Sequence, residues 1–521
     1  MWVLIFLRDF VAVPAFLVAI FTLIGALLQK RKITEITISV FKVIVGFLIL
    51  GGGAGVLVGS LNNFQPLFEV TYNLNGVIPN NDAFAGLLAT ALPRIATLGS
   101  LIMIVGMVMN LILAAFSRFK YVYLSGHVLY YTSLMLATVM YTIGFDFENN
   151  VSDFVISLFA GSSVIAVYMV LSPASQQRYM RLITGTNEIG LGHTGGFGYA
   201  ISGLIGEVIY KLKKGKVTST EAIKFPKGLF FFRNTLVSIS ITIFIFYMFA
   251  FIPSGIMYDL GRYTQEVDGV HVPLPGLENV VKILSSPHWL VQMFLQAFIF
   301  TAGVEIILIG VRMFIGELVP LFKGISDRFI KNSKAAVDCP VVYPYAPNAV
   351  IIGFISSFVG GIIGMGITIG LSGGQIIVAT ILPGLVPHFF LGATSGVFGN
   401  VKGGIWGAIV GPLIMGIFIT FIPVIFLAGK WVPGTNEQLS ALAARAEEPS
   451  SLISLNWGDT DYIIGAIPGV LGLISKWVAF GLALIIYFGL IVDGLLLKYV
   501  SWWPRRKTQL SPEENLDTNG K

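Results

Sequence analysis

Apolar stretches of about twenty residues alternate with short polar breaks along most of the chain. That alternation predicts membrane-spanning helices, because roughly 20 residues cross a hydrocarbon layer. On this ruler about eleven helices are expected, at 10–29, 36–60, 95–116, 123–144, 152–172, 229–252, 289–316, 349–371, 376–392, 403–428 and 466–497. The run at 376–392 is short enough to be re-entrant. Two stretches break the pattern. Residues 61–94 carry Asn62, Asn63, Asn80, Asn81 and Asp82 yet end in the apolar AFAGLLATAL, and 338–350 set three prolines and Asp338 directly before a helix. Both read as re-entrant hairpins with polar tips, since irregular backbone at membrane depth is tolerated where protein buries it or a cavity solvates it.

The pattern also repeats. Leu124-Ser-Gly-His-Val-Leu-Tyr-Tyr131 returns 258 residues later as Leu382-Pro-Gly-Leu-Val-Pro-His-Phe389, and Ile104-Val-Gly-Met107 as Ile362-Ile-Gly-Met365. The same offset carries the second to fifth helices onto or across helices already drawn in the second half, and maps Asn80 to Asp338. Five helices per copy is an odd number, so the copies should be inverted, an arrangement that puts a transporter's substrate site between them. The expected fold class is therefore an all-α polytopic membrane protein of about eleven transmembrane helices, with two inverted five-helix repeats and two re-entrant hairpins. The first repeat spans 1–210 and the second 228–430. An outside insert, helix eleven and a cytoplasmic tail make up 431–521.

Composition agrees. Of 521 residues, 55% are apolar and 12% charged, against about 25% charged in soluble domains. The 59 glycines and 23 prolines argue against a bundle of straight helices. Of the 33 Lys and Arg residues, 23 fall in segments that are inside when the N-terminus is outside, which sets the N-terminus out and the C-terminus in. The same bias explains the net charge of +6, so the partner is the lipid bilayer and not nucleic acid. The first apolar run reads as a retained helix and not a cleaved leader. A single cysteine, Cys339, excludes a disulfide framework. The five histidines lack metal-ligand spacing, so no metal or cofactor is expected.

Ionisable groups at membrane depth are functional candidates by default. Asp338 sits among prolines whose broken backbone leaves dipoles free to hold a polar ligand; the alternative is an interfacial carboxylate paired with Lys331 or Lys334. His127 can donate and accept, which suits a polyhydroxylated ligand, although a structural hydrogen bond would serve equally. Tyr131, four residues on, shares its helix face. His193 stands in Gly190-Leu-Gly-His-Thr-Gly-Gly196, where glycines admit close backbone approach, but the string lacks the Walker pattern.

Gly310-Val-Arg-Met-Phe-Ile-Gly-Glu-Leu318, Phe322-Lys-Gly-Ile-Ser326, Ala336-Val-Asp-Cys339, Tyr345-Ala-Pro-Asn-Ala-Val350, Pro383-Gly384 and Ala393-Thr-Ser-Gly-Val-Phe-Gly-Asn400 form an ordered block. With Leu124-Ser-Gly-His127 and Gly190-Leu-Gly-His193, it resembles the ascorbate-type membrane component, enzyme IIC, of the bacterial phosphoenolpyruvate-dependent sugar phosphotransferase system. The resemblance covers nearly the whole chain except 253–288, 430–460 and the tail. It implies a homodimer in the cell membrane, with a dimerisation domain (1–62 and 228–320) and a substrate-carrying core domain (63–210 and 335–500) that moves as an elevator. It also implies a sugar phosphorylated on arrival by separate enzyme IIB, fed by IIA and HPr, so that this chain is not by itself an enzyme and Cys339 is not the phosphate carrier. The implied substrate contacts are His127, His193, Asp338 and Asp82, with Tyr131 and Thr194 where the ascorbate pattern has glutamines. L-ascorbate or a related sugar or polyol is the implied substrate. The rival readings are a proton- or sodium-coupled secondary transporter, with Asp338 and His127 as coupling groups, and a channel or structural membrane protein.

Overall fold

A computed structural model of the chain describes residues 14–72, 76–146, 149–223, 235–267, 270–377, 379–433, 435, 437 and 455–500. These residues are mostly helical. In chain order they form α1 (Pro14–Leu28), α2 (Ile33–Tyr72), β1 (Gly76–Pro79), α3 (Asn81–Ala91), α4 (Pro93–Phe116), β2 (Tyr121–Tyr123), α5 (Gly126–Thr142), α6 (Val151–Thr184), β3 (Ile189–Leu191) and α7 (Gly196–Leu212). The second half continues with α8 (Thr235–Asp259), the hairpin β4 (Thr264–Val267) and β5 (Val270–Pro273), α9 (Glu278–Ser285), α10 (Trp289–Phe329) and β6 (Lys334–Val337). A 3-10 segment (Cys339–Tyr345) precedes α11 (Pro347–Gly373), β7 (Thr380–Ile381) and α12 (Leu385–Ala428). Then come β8 (Leu455–Asn456), a second 3-10 turn (Thr460–Tyr462), α13 (Ile463–Ile474) and α14 (Lys476–Tyr499).

Five helices in the described residues are long and apolar enough to cross a membrane, or six if α9 and the start of α10, bent by 93°, make one span. Eleven is not reached on that measure. Three local departures from the sequence pattern have physical reasons. The run at 376–392 is not a helix throughout: 380–381 is a strand and the helix starts at Leu385. Between there and Ala428 it is broken by a kink at Gly404, whose φ of 58° suits a residue without a side chain. The expected helix 466–497 is broken at Ser475, which is extended and caps α14 by accepting from the Trp477 amide. Finally, α7 has no counterpart among the expected spans, because its 17 residues, which include Glu207 and Lys211, fall short of a span.

The helices pack in two groups. In the first, α2 packs along α10, with α1 and α8 against them; Phe64 stacks on Phe246 with ring centroids 5.0 Å apart, and Ser60 ties Tyr247 (2.7 Å) to the Gln296 carbonyl (2.6 Å). In the second, α11 packs on α12, α12 on α7, α4 on α5 and α6, and α14 on α6. Small residues let the α11 and α12 backbones touch: a Cβ on Gly353 or Gly396 would collide with the facing carbonyl of Gly392 or Ala349. Two ion pairs fix α14 to this group, Lys476 with Asp153 at 3.0 Å and Arg118 with Asp493.

Two small parallel sheets organise the second group. One has the order β7-β1-β8, with Gly76 opposite Thr380 and Ile78 opposite Leu455. The other has the order β2-β6-β3, with Tyr121 opposite Lys334 and Ile189 opposite Ala335. Strand pairing satisfies backbone groups that no helix serves. Each central strand ends on one of the two polar tips, Asn80 after β1 and Asp338 after β6.

Candidate functional site

The two sheets bring their carboxyl ends together at one cavity, of about 370 Å³ including its open mouth. His127 comes from the first turn of α5 and Tyr131 from one turn further along, and both line it. His193 and Thr194 follow β3, in the turn that opens α7, and line it too. Asn81 supplies another polar wall, and Val128, Val386, Pro387 and Phe390 the apolar ones. Asp338 reaches the same place: its Oδ2 lies 3.6 Å from His127 Nε2, while its Oδ1 accepts the Cys339 amide at 2.7 Å. Five of the six candidate residues therefore converge. The sixth, Asp82, stands in α3 beside Asn81, and its side chain lies outside the described residues.

Sequence reasoning missed Asp459, which also lines the cavity. It arrives on the segment after β8, from a stretch read as an outside insert. Leu455, Asn456, Trp457, Asp459 and Asp461 are all at most 1% exposed. The segment is held by pairing with β1, by the Asn80 amide donating to the Asn456 carbonyl (3.0 Å) and by the Gly458 amide donating to Asn81 Oδ1 (2.8 Å). The only signal in the sequence is two acidic residues in a short aromatic string, Trp457-Gly-Asp-Thr-Asp-Tyr462, at a position where hydropathy reads a loop.

His193 is clamped on every side. Its Nδ1 accepts the Gly195 amide (3.3 Å) and lies 2.8 Å from the Tyr199 hydroxyl. An amide has only a proton to offer, so Nδ1 is the unprotonated nitrogen and Nε2 carries the proton. Asp459 Oδ2 sits 3.6 Å from Nδ1 and accepts from the Thr194 hydroxyl at 2.6 Å; its Oδ1 accepts the Thr460 amide at 2.9 Å. Behind this layer, Asp461 Oδ2 faces the Tyr168 and Ser172 hydroxyls (2.9 and 3.2 Å). Its Oδ1 faces the Phe197 amide and the Thr460 hydroxyl (3.0 and 2.9 Å). The Asp461 amide donates to the Thr194 carbonyl (2.8 Å), and Tyr168 also reaches the His193 carbonyl (2.9 Å). Gly195 and Gly196 make this possible, since a Cβ on either would strike Tyr199 or Ser172.

These three groups lie in connecting segments outside the spanning helices, and burial dominates their protonation. It pushes Asp459 up to about 7 against the opposing Thr194 and Thr460 hydrogen bonds. It pushes Asp461 up to about 8, assisted by the neighbouring Asp459 charge. It lowers His193 to about 4, with Asp338 opposing and His127 assisting. His193 is thus a neutral imidazole at pH 7.

One nitrogen each from His127 and His193 and one oxygen from Asp338 lie within 4.8 Å of one another. A zinc ion holds its ligands about 3.3 Å apart at bond lengths near 2.0 Å, and His193 has already committed Nδ1 to protein donors. The chemistry on offer is hydrogen bonding: donors and acceptors spread over a few ångströms beside an apolar wall, which matches a polyhydroxylated small molecule. Cys339 is fully buried, 3.6 Å from the Tyr343 hydroxyl, where no partner protein can reach its sulfur.

Comparison with known proteins gives two findings. The family described as "PTS system sugar-specific permease component" matches residues 9–436. The "Ascorbate-specific PTS system EIIC component" of Mycoplasma pneumoniae (strain ATCC 29342 / M129 / Subtype 1) is 26% identical over an alignment of 446 residues, with 81% of this chain and 66% of that protein covered. The chain thus spans a little under two thirds of the relative's length.

Proposed function

From the premise that the chain belongs to the sugar-specific permease components of the phosphotransferase system, we propose that it carries L-ascorbate or a related sugar or polyol across the cell membrane for phosphorylation on the inner side. The observation that carries this reading is the meeting of His127, Tyr131, His193, Thr194, Asp338 and Asp459 around one cavity. Their groups can both donate to and accept from a ring of hydroxyls. The phosphoryl transfer belongs to separate IIB and IIA chains supplied by HPr, and this chain supplies passage.

The proposed path is an elevator in a homodimer of about eleven spans per chain, N-terminus outside and C-terminus inside. Two inverted repeats build each protomer, and Asp82 joins the substrate contacts. Support for the repeats comes from the sheets. Adding 258 to the bounds of β1, 76–79, gives 334–337, the bounds of β6, and each is the central strand of a sheet whose edge strands come from the other half. The same shift carries α2 onto 291–330, beside α10 at 289–329, and α4 onto 351–374, beside α11 at 347–373. Support for a sliding core comes from the seam between the helix groups. There Phe64, Ile243, Phe246, Tyr247 and Phe300 of the first group face Ile78, Asn80, Pro383 and Gly384 of the second across a cavity of about 310 Å³, a lining that is apolar except for Asn80 and the Tyr247 hydroxyl.

Uptake of labelled sugar into vesicles holding the protein and its soluble partners tests the reading. Uptake should require phosphoenolpyruvate and deliver sugar phosphate. Uptake that persists without it and collapses with an ionophore would instead establish ion-coupled transport.

A further inference from the structure

The far end of α7 carries charge that the described residues leave unanswered. Lys211, Lys213, Lys214 and Lys216 are all exposed, and none has an ion pair among the described residues. The acids nearest in sequence are engaged elsewhere. Glu207 pairs with Arg178 at 3.1 Å, and Glu221 Oε1 accepts the Asn348 amide at 2.8 Å. The lysine loop is held in place. Lys214 and Gly215 take left-handed φ values of 51° and 79° to end the helix. The Thr218 carbonyl then accepts the Ile405 amide (2.8 Å), and the Thr220 amide donates to Asn400 Oδ1 (2.9 Å). Two aromatic rings of the same corner meet the charge: Lys213 Nζ lies 4.9 Å from the centroid of Trp406, and Lys402 Nζ 5.8 Å from that of Tyr210. Trp406 is 53% exposed. Below the lysines, α7 turns an apolar face outward. Ile201, Leu204, Val208 and Leu212 are exposed and recur three or four residues apart, so they share that face.

We propose that this corner binds an anionic phospholipid, its phosphate headgroup held by Lys213, Lys214 and Lys216 beside Trp406 and one acyl chain lying along Ile201, Leu204 and Val208. Charge complementarity selects an anionic lipid over a zwitterionic one, because the cluster holds lysines and no free acid. The apolar face selects a lipid over the acidic surface of a soluble protein, which would cover the lysines and leave that face bare. The dimensions agree. From Ile201 to Leu212 the helix rises about 17 Å, roughly one leaflet of a 30 Å hydrocarbon layer, so the lysines stand at headgroup level when the face below them lies in acyl chains. Trp406 and Tyr210 then sit where indole and phenol rings favour the interface. The site is separate from the sugar cavity and does not depend on which sugar is carried.

The test is tryptophan quenching of the full-length protein in phosphatidylcholine nanodiscs that contain a small fraction of chain-brominated lipid, either phosphatidylglycerol or phosphatidylcholine. The chain has eight tryptophans, so the Trp406 signal is taken as the difference between wild type and Trp406→Phe. Brominated phosphatidylglycerol should quench Trp406 at a concentration at least about fivefold lower than brominated phosphatidylcholine, the effect of one lysine beside an anionic headgroup. In Lys213→Gln/Lys214→Gln/Lys216→Gln that ratio should fall toward one. Arg262→Gln/Lys282→Gln/Lys430→Gln removes the same charge from exposed positions on other segments and should leave the ratio unchanged. Lys213→Gln alone, which spares the turn at Lys214, should lower it part of the way and keeps the test decisive if the triple variant unfolds on heating sooner than wild type. Equal quenching by the two lipids in wild type overturns the proposal and leaves the lysines to an acidic protein surface. The same loss in both triple variants overturns it too, by reducing the preference to overall charge. A preference abolished by inorganic phosphate would show a site for the free anion and not for a lipid.

Discussion

Asp461 touches no part of the cavity, yet replacing it should disturb the site. In Asp461→Ala the Phe197 amide in the first turn of α7 loses its acceptor (3.0 Å). The Tyr168, Ser172 and Thr460 hydroxyls lose theirs as well. Hydroxyls can rotate to new partners, whereas the amide cannot, and a buried unpaired amide costs about 1–3 kcal/mol. With the void left by the carboxyl group, a total of about 3–5 kcal/mol follows. Asp461→Asn behaves differently. Its amide oxygen can keep the Phe197 amide, and its NH2 can donate to Tyr168, whose own proton is then free for the His193 carbonyl 2.9 Å away. That variant should lie within about 1 kcal/mol of wild type.

The sign with pH agrees. Burial raises Asp461 from 3.8 to about 8, so the folded state holds this proton more tightly than the unfolded one. The associated stability is present below pH 4 and lost as pH rises through 8. The assay is thermal unfolding in detergent at pH 6, 7.5 and 9, with sugar binding in parallel. Alanine should lower Tm and weaken binding, and asparagine should do neither while flattening the fall in Tm between pH 6 and 9. An asparagine variant as damaged as alanine, or with an unchanged pH slope, would show that the ionised carboxylate is what the fold requires.

Asp338→Asn removes a carboxylate 3.6 Å from His127 and should abolish sugar binding while leaving folding and oligomeric state unchanged by gel filtration; normal binding would take Asp338 out of the site. Tyr199→Phe deletes the hydroxyl 2.8 Å from His193 Nδ1 and should weaken binding about five- to tenfold by titration calorimetry, at roughly 1 kcal/mol for one hydrogen bond. Cys339→Ala changes a fully buried thiol and should retain phosphoenolpyruvate-dependent uptake; its loss, with the protein folded, would reopen a phosphate-carrying role.

What the sequence disclosed follows from what hydropathy measures. Helices such as α4 and α11 satisfy their own backbone, so an apolar run suffices to reveal them, and the glycines around His193 announced a close approach. The strands are two to four residues long and exist only because partners from distant segments complete them, so no local pattern marks them. Asp459 was invisible for that reason. Its segment is ordered by β1, 376 residues earlier at Asn80–Asn456, and nothing nearby in the sequence shows that a polar stretch will be buried. The spacing of the histidines joins none of them, and only the family resemblance grouped His127, His193 and Asp338; in the fold, parallel pairing in the second sheet sets the ends of β2 and β3 on either side of β6, bringing the three together.

The most direct measurement is a cryo-electron microscopy map of the full-length protein with its transported sugar bound. The expected density lies between α5, the turn after β3 and the tip after β6, with hydroxyls in hydrogen-bonding reach of His127, His193, Asp338 and Asp459. Density in the seam beside Phe64 and Tyr247, with this cavity empty, would contradict the assignment.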